Sequence, residues 1–324
     1  MTPYEHTRAA RTKEGCNVDQ THDVLSKGMI LSLLEALART DENSGTVYEN
    51  SLHVFREIDS TNAYARSAAV SAGILRDSTG TLTEAGKRLH RSAYLADGQT
   101  AGRGRTGRGF FSPARCGLYL SVLFCPENRV CAPARFTAAA AVAVSLAVER
   151  LTGTECHIKW VNDVFCGGKK VCGILSEGIS SFETGRVESL VTGIGINVRR
   201  PPDDFPAEIR GIAGALFGGA SNQPVPPANF RNNMAAQVLH YLFGFFEGLS
   251  SDETWGGVMS EYRRRSLVLG QEITVYPVAG DSSSAFRARA VDIDADAALV
   301  VETGTGEWRT LHSGEVRLGS ANFA

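Results

Sequence analysis

The stretch ARFTAAAAVAVSLAVERL, residues 134–151, constrains the fold more than any other part of the chain. It reads as a helix that is apolar on nearly every face, and such a helix is stable only where neighbours cover it all round. Its alanines let those neighbours come close, so it is read as a core helix. GLYLSVLF (117–124) ahead of it and SLVTGIGINV (189–198) beyond it read as strands. HIKWVNDVFCGGKKVCGILSEG (157–178) reads as two strands joined by a Gly167-Gly168 turn. A mixed α/β domain follows.

With 324 residues, 43% of them hydrophobic, the chain can bury one large core and a second small one. After Leu267 the texture changes to short strands with closely spaced turns, in QEITVYPV, AFRARAVDIDADAALVVET and EWRTLHSGEVRLG. They predict a small β-barrel-like cap. The expected division is an N-terminal extension (1–45), a main domain (46–266) and a C-terminal domain (267–324). In the extension, Met29–Ala38 reads as a packing helix with Leu33, Leu34 and Leu37 on one face. Val54 opens a strand, and Ser60-Thr61-Asn62 reads as the N-terminus of the helix AYARSAAV. Residues 73–92 read as an insertion or hairpin at the surface. Two later helices are expected in NFRNNMAAQVLHYLFGFFEGL and in the stretch ending EYRRRS.

A net charge of −2 gives no bulk reason to bind nucleic acid. No run of eighteen apolar residues exists to span a membrane. The first residues lack the apolar centre of an export signal, so the expected location is the cytoplasm, with an organelle presequence left open. The seven cysteines form no CxxC pair, and they read as reduced thiols serving as small hydrophobes.

GRGRTGR, residues 102–108, puts three arginines on glycine-rich backbone. Its glycines match GxGxxG, but a dinucleotide turn must open a helix, and GFFSP follows with Pro113 against one. Kinase and GxxxxGK[ST] signatures are missing as well. Two readings remain: a solvated loop with incidental charge, or, favoured because glycine-rich backbone loses entropy on ordering and needs a reason to be kept, a loop that orders over an anion, with guanidiniums making forked bonds to phosphate or carboxylate. Lys159–Val164 (KWVNDV) and Lys169–Leu175 (KKVCGIL) add a lysine, an amide and a carboxylate. Read singly, Lys159 is a surface strand residue, Trp160 core, and Lys169 solvated.

Taken in order, STN (60–62), QTAGRGRTGR (99–108), GLYLS (117–121), KWVNDV, KKVCGIL with Glu177, GIGINV (193–198) and SGEVRLG (313–319) resemble the biotin–protein ligase family over about Val54–Leu318. The resemblance implies an α+β fold, a mixed sheet flanked by helices like a class II synthetase, with an SH3-like C-terminal domain. It implies ATP and biotin as substrates, Mg²⁺ as cofactor, and biotinyl-5′-AMP formed before transfer to a lysine of the biotin carboxyl carrier domain of a carboxylase. Two anions meet in the first step, so fixed cations are needed as charge builds on phosphorus.

By this resemblance Lys170 and Arg105 are catalytic. Ser60, Thr61, Asn62, Gln99, Gly102, Arg103, Arg105, Lys170 and Gly173 are expected at biotin. Arg103, Arg105, Arg108, Phe110, Asn162, Asp163, Lys170 and Asn197 are expected at the nucleotide, with Asp163 also touching the metal. Phe110 stands where the family often has an adenine-stacking tryptophan, and Val161 where it often has proline. Loop closure is expected to exclude water.

A lipoate–protein ligase is the nearest alternative enzyme. A biotin-sensing repressor would need a DNA-reading domain that residues 1–45 leave no room for, so no nucleic-acid partner is expected. A catalytically dead binding module conflicts with the joint presence of Lys170, Arg105, Arg108 and Asp163. Monomer and homodimer both remain open.

Overall fold

Gly117–Phe124 is a strand buried at all eight positions, so both faces of its sheet are covered. The computed structural model describes residues 23–39, 51–126, 132–180, 185, 187–218, 225–277 and 282–319. Its main sheet contains β1 (Leu52–Phe55), β2 (Ser92–Ala96), β3 (Gly117–Phe124), β4 (His157–Lys159), β5 (Asp163–Cys166), β6 (Lys169–Ser180) and β7 (Val187–Asn197). The order is β1-β2-β3-β7-β6-β5-β4, with β1 and β2 parallel and every other pair antiparallel.

Alternation along β3 sorts the two layers. Leu118, Leu120, Val122 and Phe124 enter the large core, whereas Leu123 joins a second cluster with Ala65 and Ala69. Those alanines belong to α2 (Thr61–Ser71), which packs on β2, β3 and β7 and whose N-cap Ser60 accepts from the Ala63 N–H. The large core holds the expected central helix, α4 (Pro133–Thr152). Pro133 starts it, where the missing N–H costs nothing, and Gly153 ends it in the left-handed conformation at φ 69°. Beyond the short α5 (Ala207–Arg210), α6 (Phe230–Glu247) and α7 (Asp252–Arg264) pack against α4. α1 (Lys27–Ala38) covers α6, with Ile30 and Leu34 buried and Leu33 and Leu37 packed beside them. Residues 1–22 and 40–45 of the extension, Cys16 among them, and Cys131 lie outside the described residues.

Arg231 of α6 is buried and holds two parts of the chain at once. Its guanidinium pairs with Asp23 at 3.1 Å and with Asp97, and also donates to the Gly117 carbonyl. Gln99 of the glycine-loop segment lies two residues beyond Asp97.

The C-terminal unit is an antiparallel sheet of five strands in the order β11-β10-β9-β8-β12. These are β8 (Glu272–Tyr276), β9 (Phe286–Ile293), β10 (Leu299–Thr303), β11 (Trp308–Leu311) and β12 (Glu315–Leu318). Its inner residues, among them Val275, Ala290 and Val301, merge into the large core. The α+β class and the small barrel-like terminal domain therefore stand. No helix of the described residues is long and apolar enough to cross a membrane.

Two local expectations need correction. Residues 157–178 form three strands, because Trp160–Asn162 leaves the ladder. Tertiary hydrogen bonds draw that segment away: the Trp160 indole donates to Ala297 O at 3.0 Å, the Tyr262 hydroxyl to Val161 O at 2.9 Å, and the Asn162 amide to Ile174 O at 3.0 Å. Residues 73–92 do contain a hairpin, with Arg76 bridged to Leu82, but they also contain α3 (Glu84–Leu89), capped by Thr83. They are not a mere surface insertion, since Leu75 is buried against α2 in the second cluster.

Candidate functional site

The glycine loop folds back on itself. Gly104 N–H donates to Arg108 O at 2.7 Å and Phe110 N–H to Gly102 O at 2.8 Å, while Arg103 and Gly109 form an antiparallel bridge. A single 3₁₀ turn, Arg105–Gly107, makes the tip, with Thr106 at φ 53° and Gly107 at φ 75°. Glycine takes that backbone without strain. A side chain at Gly102 would run into the Phe110 carbonyl and the Ser112 hydroxyl. No helix follows the loop, in keeping with rejection of a dinucleotide turn.

The loop covers a cavity of about 300 Å³ over β3, β7 and β6. Gly173, Gly193 and Gly195 line it, and the Phe110 ring lies so close over Gly195 that a Cβ there would overlap it. Phe110 also meets Tyr119 edge-on at 6.5 Å.

One group of lining residues is polar and uncharged. The Gln99 side-chain oxygen accepts from Thr61 N at 2.9 Å and Thr61 Oγ1 at 3.2 Å, and its amide nitrogen donates to Ser112 Oγ at 2.9 Å. Ser121 Oγ lies 2.7 Å from Thr61 Oγ1 and 2.6 Å from Asn62 Oδ1. Asn62 donates to Glu177 at 3.1 Å, and Ser60 lines the same region. Side chains held this firmly offer fixed hydrogen-bonding directions to a neutral polar ligand. Ser121, which sequence reasoning did not single out, is fully buried behind them.

The other group is charged. Lys170 Nζ lies 2.6 Å from Asp163 Oδ1, since a bulge between Val164 and Phe165 brings β5 and β6 into that register. Arg105 donates to Asn162 Oδ1 at 2.9 Å and to Gly314 O at 3.1 Å, and Arg108 pairs with Glu315 at 2.7 Å. The C-terminal sheet thus holds the loop. Asn197 donates to Gly214 O at 2.9 Å at the cavity wall, and exposed Arg103 stands at the rim.

Lys159 corrects an expectation. It is not a surface strand residue but lines the cavity, cross-strand from Asp163. Burial lowers its pKa, against the opposing pull of Asp163 and Glu315; Arg105 is shifted the same way for the same first cause. The signal that could have located it is its strand position, paired with Asp163. Trp160 is core and also borders the cavity, and Lys169 is exposed, its ammonium donating to Gly211 O at 2.7 Å. Every residue expected at biotin or nucleotide lines this one cavity except Gly102, which sits in the covering loop.

Comparison with known proteins agrees with this geometry. Residues 73–197 match the Biotin/lipoate A/B protein ligase family, and residues 268–319 match the Biotin protein ligase C terminal domain. A biotin–[acetyl-CoA-carboxylase] ligase of Paracoccus denitrificans is 30% identical over 237 residues, covering 71% of this chain and 92% of that protein. The chain belongs to the biotin–protein ligase family. The bifunctional ligase/repressor BirA of Bacillus subtilis is 33% identical over 69% of this chain, which spans 65% of the length of that relative. Among solved structures of the ligase family, the Aquifex aeolicus biotin protein ligase in complex with biotin and ATP superimposes with a TM-score of 0.62. It is 26% identical, over 83% of this chain and 98% of that one.

Proposed function

We propose that this chain is a biotin–protein ligase that activates biotin with ATP to biotinyl-5′-AMP and transfers biotin to a lysine of a biotin carboxyl carrier domain. The observation that carries the reading is that a single cavity is lined both by the uncharged Thr61–Gln99 group and by five cations, Arg103, Arg105, Arg108, Lys159 and Lys170. A neutral ring with a carboxylate tail needs the first group, and a triphosphate needs the second.

In this reading the Thr61, Gln99 and Ser60 groups bind the ureido ring, and Lys170 draws the biotin carboxylate and the α-phosphate together. Lys170 stabilises the charge that grows on phosphorus as the carboxylate oxygen attacks and pyrophosphate leaves. Asp163 orients the Lys170 ammonium. Arg105 and Arg108 keep the loop shut over the mixed anhydride, shielding it from water until the acceptor amine arrives. Attack by that amine on the acyl carbon releases AMP.

Mg²⁺ takes oxygen ligands, commonly one or two carboxylates together with phosphates and water. No group of three or more potential ligands occurs among the described residues, and Asp163 and Glu315 are the carboxylates of the cavity. That donor set suits an ion arriving with the triphosphate and held by Asp163. When bound, it would neutralise phosphate charge.

The acceptor is a protein met transiently, a carrier domain of a biotin-dependent carboxylase. We take 46–266 as the catalytic domain and 267–324 as the domain that closes it. The test is pyrophosphate release from ATP and Mg²⁺ with biotin or lipoate, followed by transfer to a carrier domain. Release with biotin and a biotinylated carrier is expected; release with lipoate alone moves the substrate, and release with neither rejects the enzyme.

A further inference from the structure

Away from the cavity, the described residues bring two thiols together. The β4–β5 register pairs Lys159 with Asp163, Ile158 with Val164 and His157 with Phe165. One step further it sets Cys156 opposite Cys166, and their sulfurs lie 2.8 Å apart. Both are free and buried. No other two cysteine sulfurs among the described residues are in hydrogen-bond contact. Directly opposed residues on antiparallel strands are close enough for a disulfide at suitable pairs, and an S–S bond of about 2.0 Å requires only a small further approach.

We propose that Cys156 and Cys166 form an oxidisable dithiol which a peroxide converts to an intrachain disulfide, stapling the hairpin that carries Lys159, Asn162 and Asp163. The inference does not depend on which acyl group the cavity binds. Cys166 reacts first, because it borders the exposed turn Gly167–Lys169, whereas Cys156 is fully buried. Its thiolate attacks one peroxide oxygen, the O–O bond breaks, and a sulfenic acid and water result. The Cys156 sulfur then attacks the Cys166 sulfur; the S–O bond breaks, and the hydroxide leaves as water with the Cys156 proton. Two thiols lose two electrons, and one peroxide becomes two waters. The contact with Cys166 and burial push the Cys156 thiol pKa up, which disfavours its reacting first with peroxide; its attack on Cys166 is favoured by the 2.8 Å contact.

The disulfide closes the ring 156–166 at the end of the hairpin remote from Trp160–Asn162. That near end is already held by Tyr262, Ala297 and Ile174. Oxidation therefore stabilises the hairpin without moving the cavity lining. Restricting the unfolded chain in this way raises the melting temperature by roughly 5 °C.

The test treats the full chain with stoichiometric hydrogen peroxide, blocks remaining thiols with N-ethylmaleimide, and digests with trypsin without reduction. Cleavage after Arg150, Lys159 and Lys169 separates the two cysteines, so the disulfide appears as peptide 151–159 joined to peptide 160–169. That linked pair is expected as the dominant disulfide, with a higher melting temperature that dithiothreitol reverses. Cys166→Ser should lose both effects. The proposal is overturned by sulfinic acid on Cys166 with Cys156 alkylated, by a dominant link to any other cysteine, or by the expected link without a change in melting. The wild-type peptide map stands alone should a variant fail to fold.

Discussion

Arg108 of the glycine loop and Glu315 of the terminal sheet form an ion pair at 2.7 Å across 207 residues of sequence. With Arg105 bound to the neighbouring Gly314 carbonyl, the terminal sheet acts as the latch of the loop. Arg108 is 59% exposed, so the pair adds little to global stability. Glu315→Ala should leave the melting temperature within about 2 °C. It should nevertheless expose Arg103–Arg108 to trypsin several-fold faster. Equal nicking rates for variant and parent would show that the latch lies elsewhere.

Lys170→Ala should reduce biotin-dependent pyrophosphate release by about 10²–10³-fold, the range seen when one charge-stabilising group is removed from a reacting centre. The fold should survive, because both Lys170 and Asp163 remain partly exposed at 28% and 21%. Circular dichroism with single-turnover kinetics separates the two effects, and unchanged turnover would remove Lys170 from the chemistry.

Lys159→Met tests the cation that sequence reasoning placed on the surface. Burial lowers the lysine pKa, so its ammonium is lost at a pH below the ordinary lysine range of about 10.4. KM for ATP in the parent should therefore climb on the alkaline side sooner than an ordinary lysine allows. The variant should start about tenfold weaker and lack that climb. Stability carries the opposite sign: the unfolded chain binds the proton more readily, so stability from this residue grows as pH rises through the lowered pKa towards the ordinary value. A KM profile in the variant parallel to that of the parent would exclude Lys159 from the nucleotide end.

His90 predicts acid behaviour away from the site. Burial, then Arg91 and Arg76, lowers its pKa from 6.5 to about 4, and its Nδ1 accepts the Cys125 N–H at 3.2 Å. The folded chain therefore keeps His90 neutral where the unfolded chain protonates it. Stability is full above about 6.5 and falls as pH drops towards 4, by up to about 3 kcal/mol. His90→Asn, which can still accept from Cys125, should flatten that limb in urea titrations at pH 7 and pH 4.5. An unchanged slope would assign the acid sensitivity to other groups.

The sequence carried the strand and helix pattern, because β3 and α4 announce themselves by near-continuous burial. It also carried most cavity residues, but through the resemblance of its short motifs to the biotin–protein ligase family rather than through their spacing alone. What it did not carry depends on contacts between distant segments. Trp160–Asn162 leaves the sheet because Ala297, Tyr262 and Ile174 supply its partners, and nothing local announces them. Ser121 looks like one more strand residue until α2 brings Thr61 and Asn62 over it. The hydrophobic face of residues 73–92 was equally hidden, since Leu75 is buried only once α2 exists to receive it.

Arg231 gives the N-terminal segment a part in this arrangement that its position, far from the cavity, would not suggest. One buried guanidinium serves as counter-ion to both Asp23 and Asp97, and Gln99 follows Asp97 after a single glycine. Taking Asp23 away would leave that charge to Asp97 alone and re-weight the anchor of the Gln99 end of the cavity. Asp23, just before α1, is in this sense ballast for the glycine loop, and its loss would be felt at the cavity.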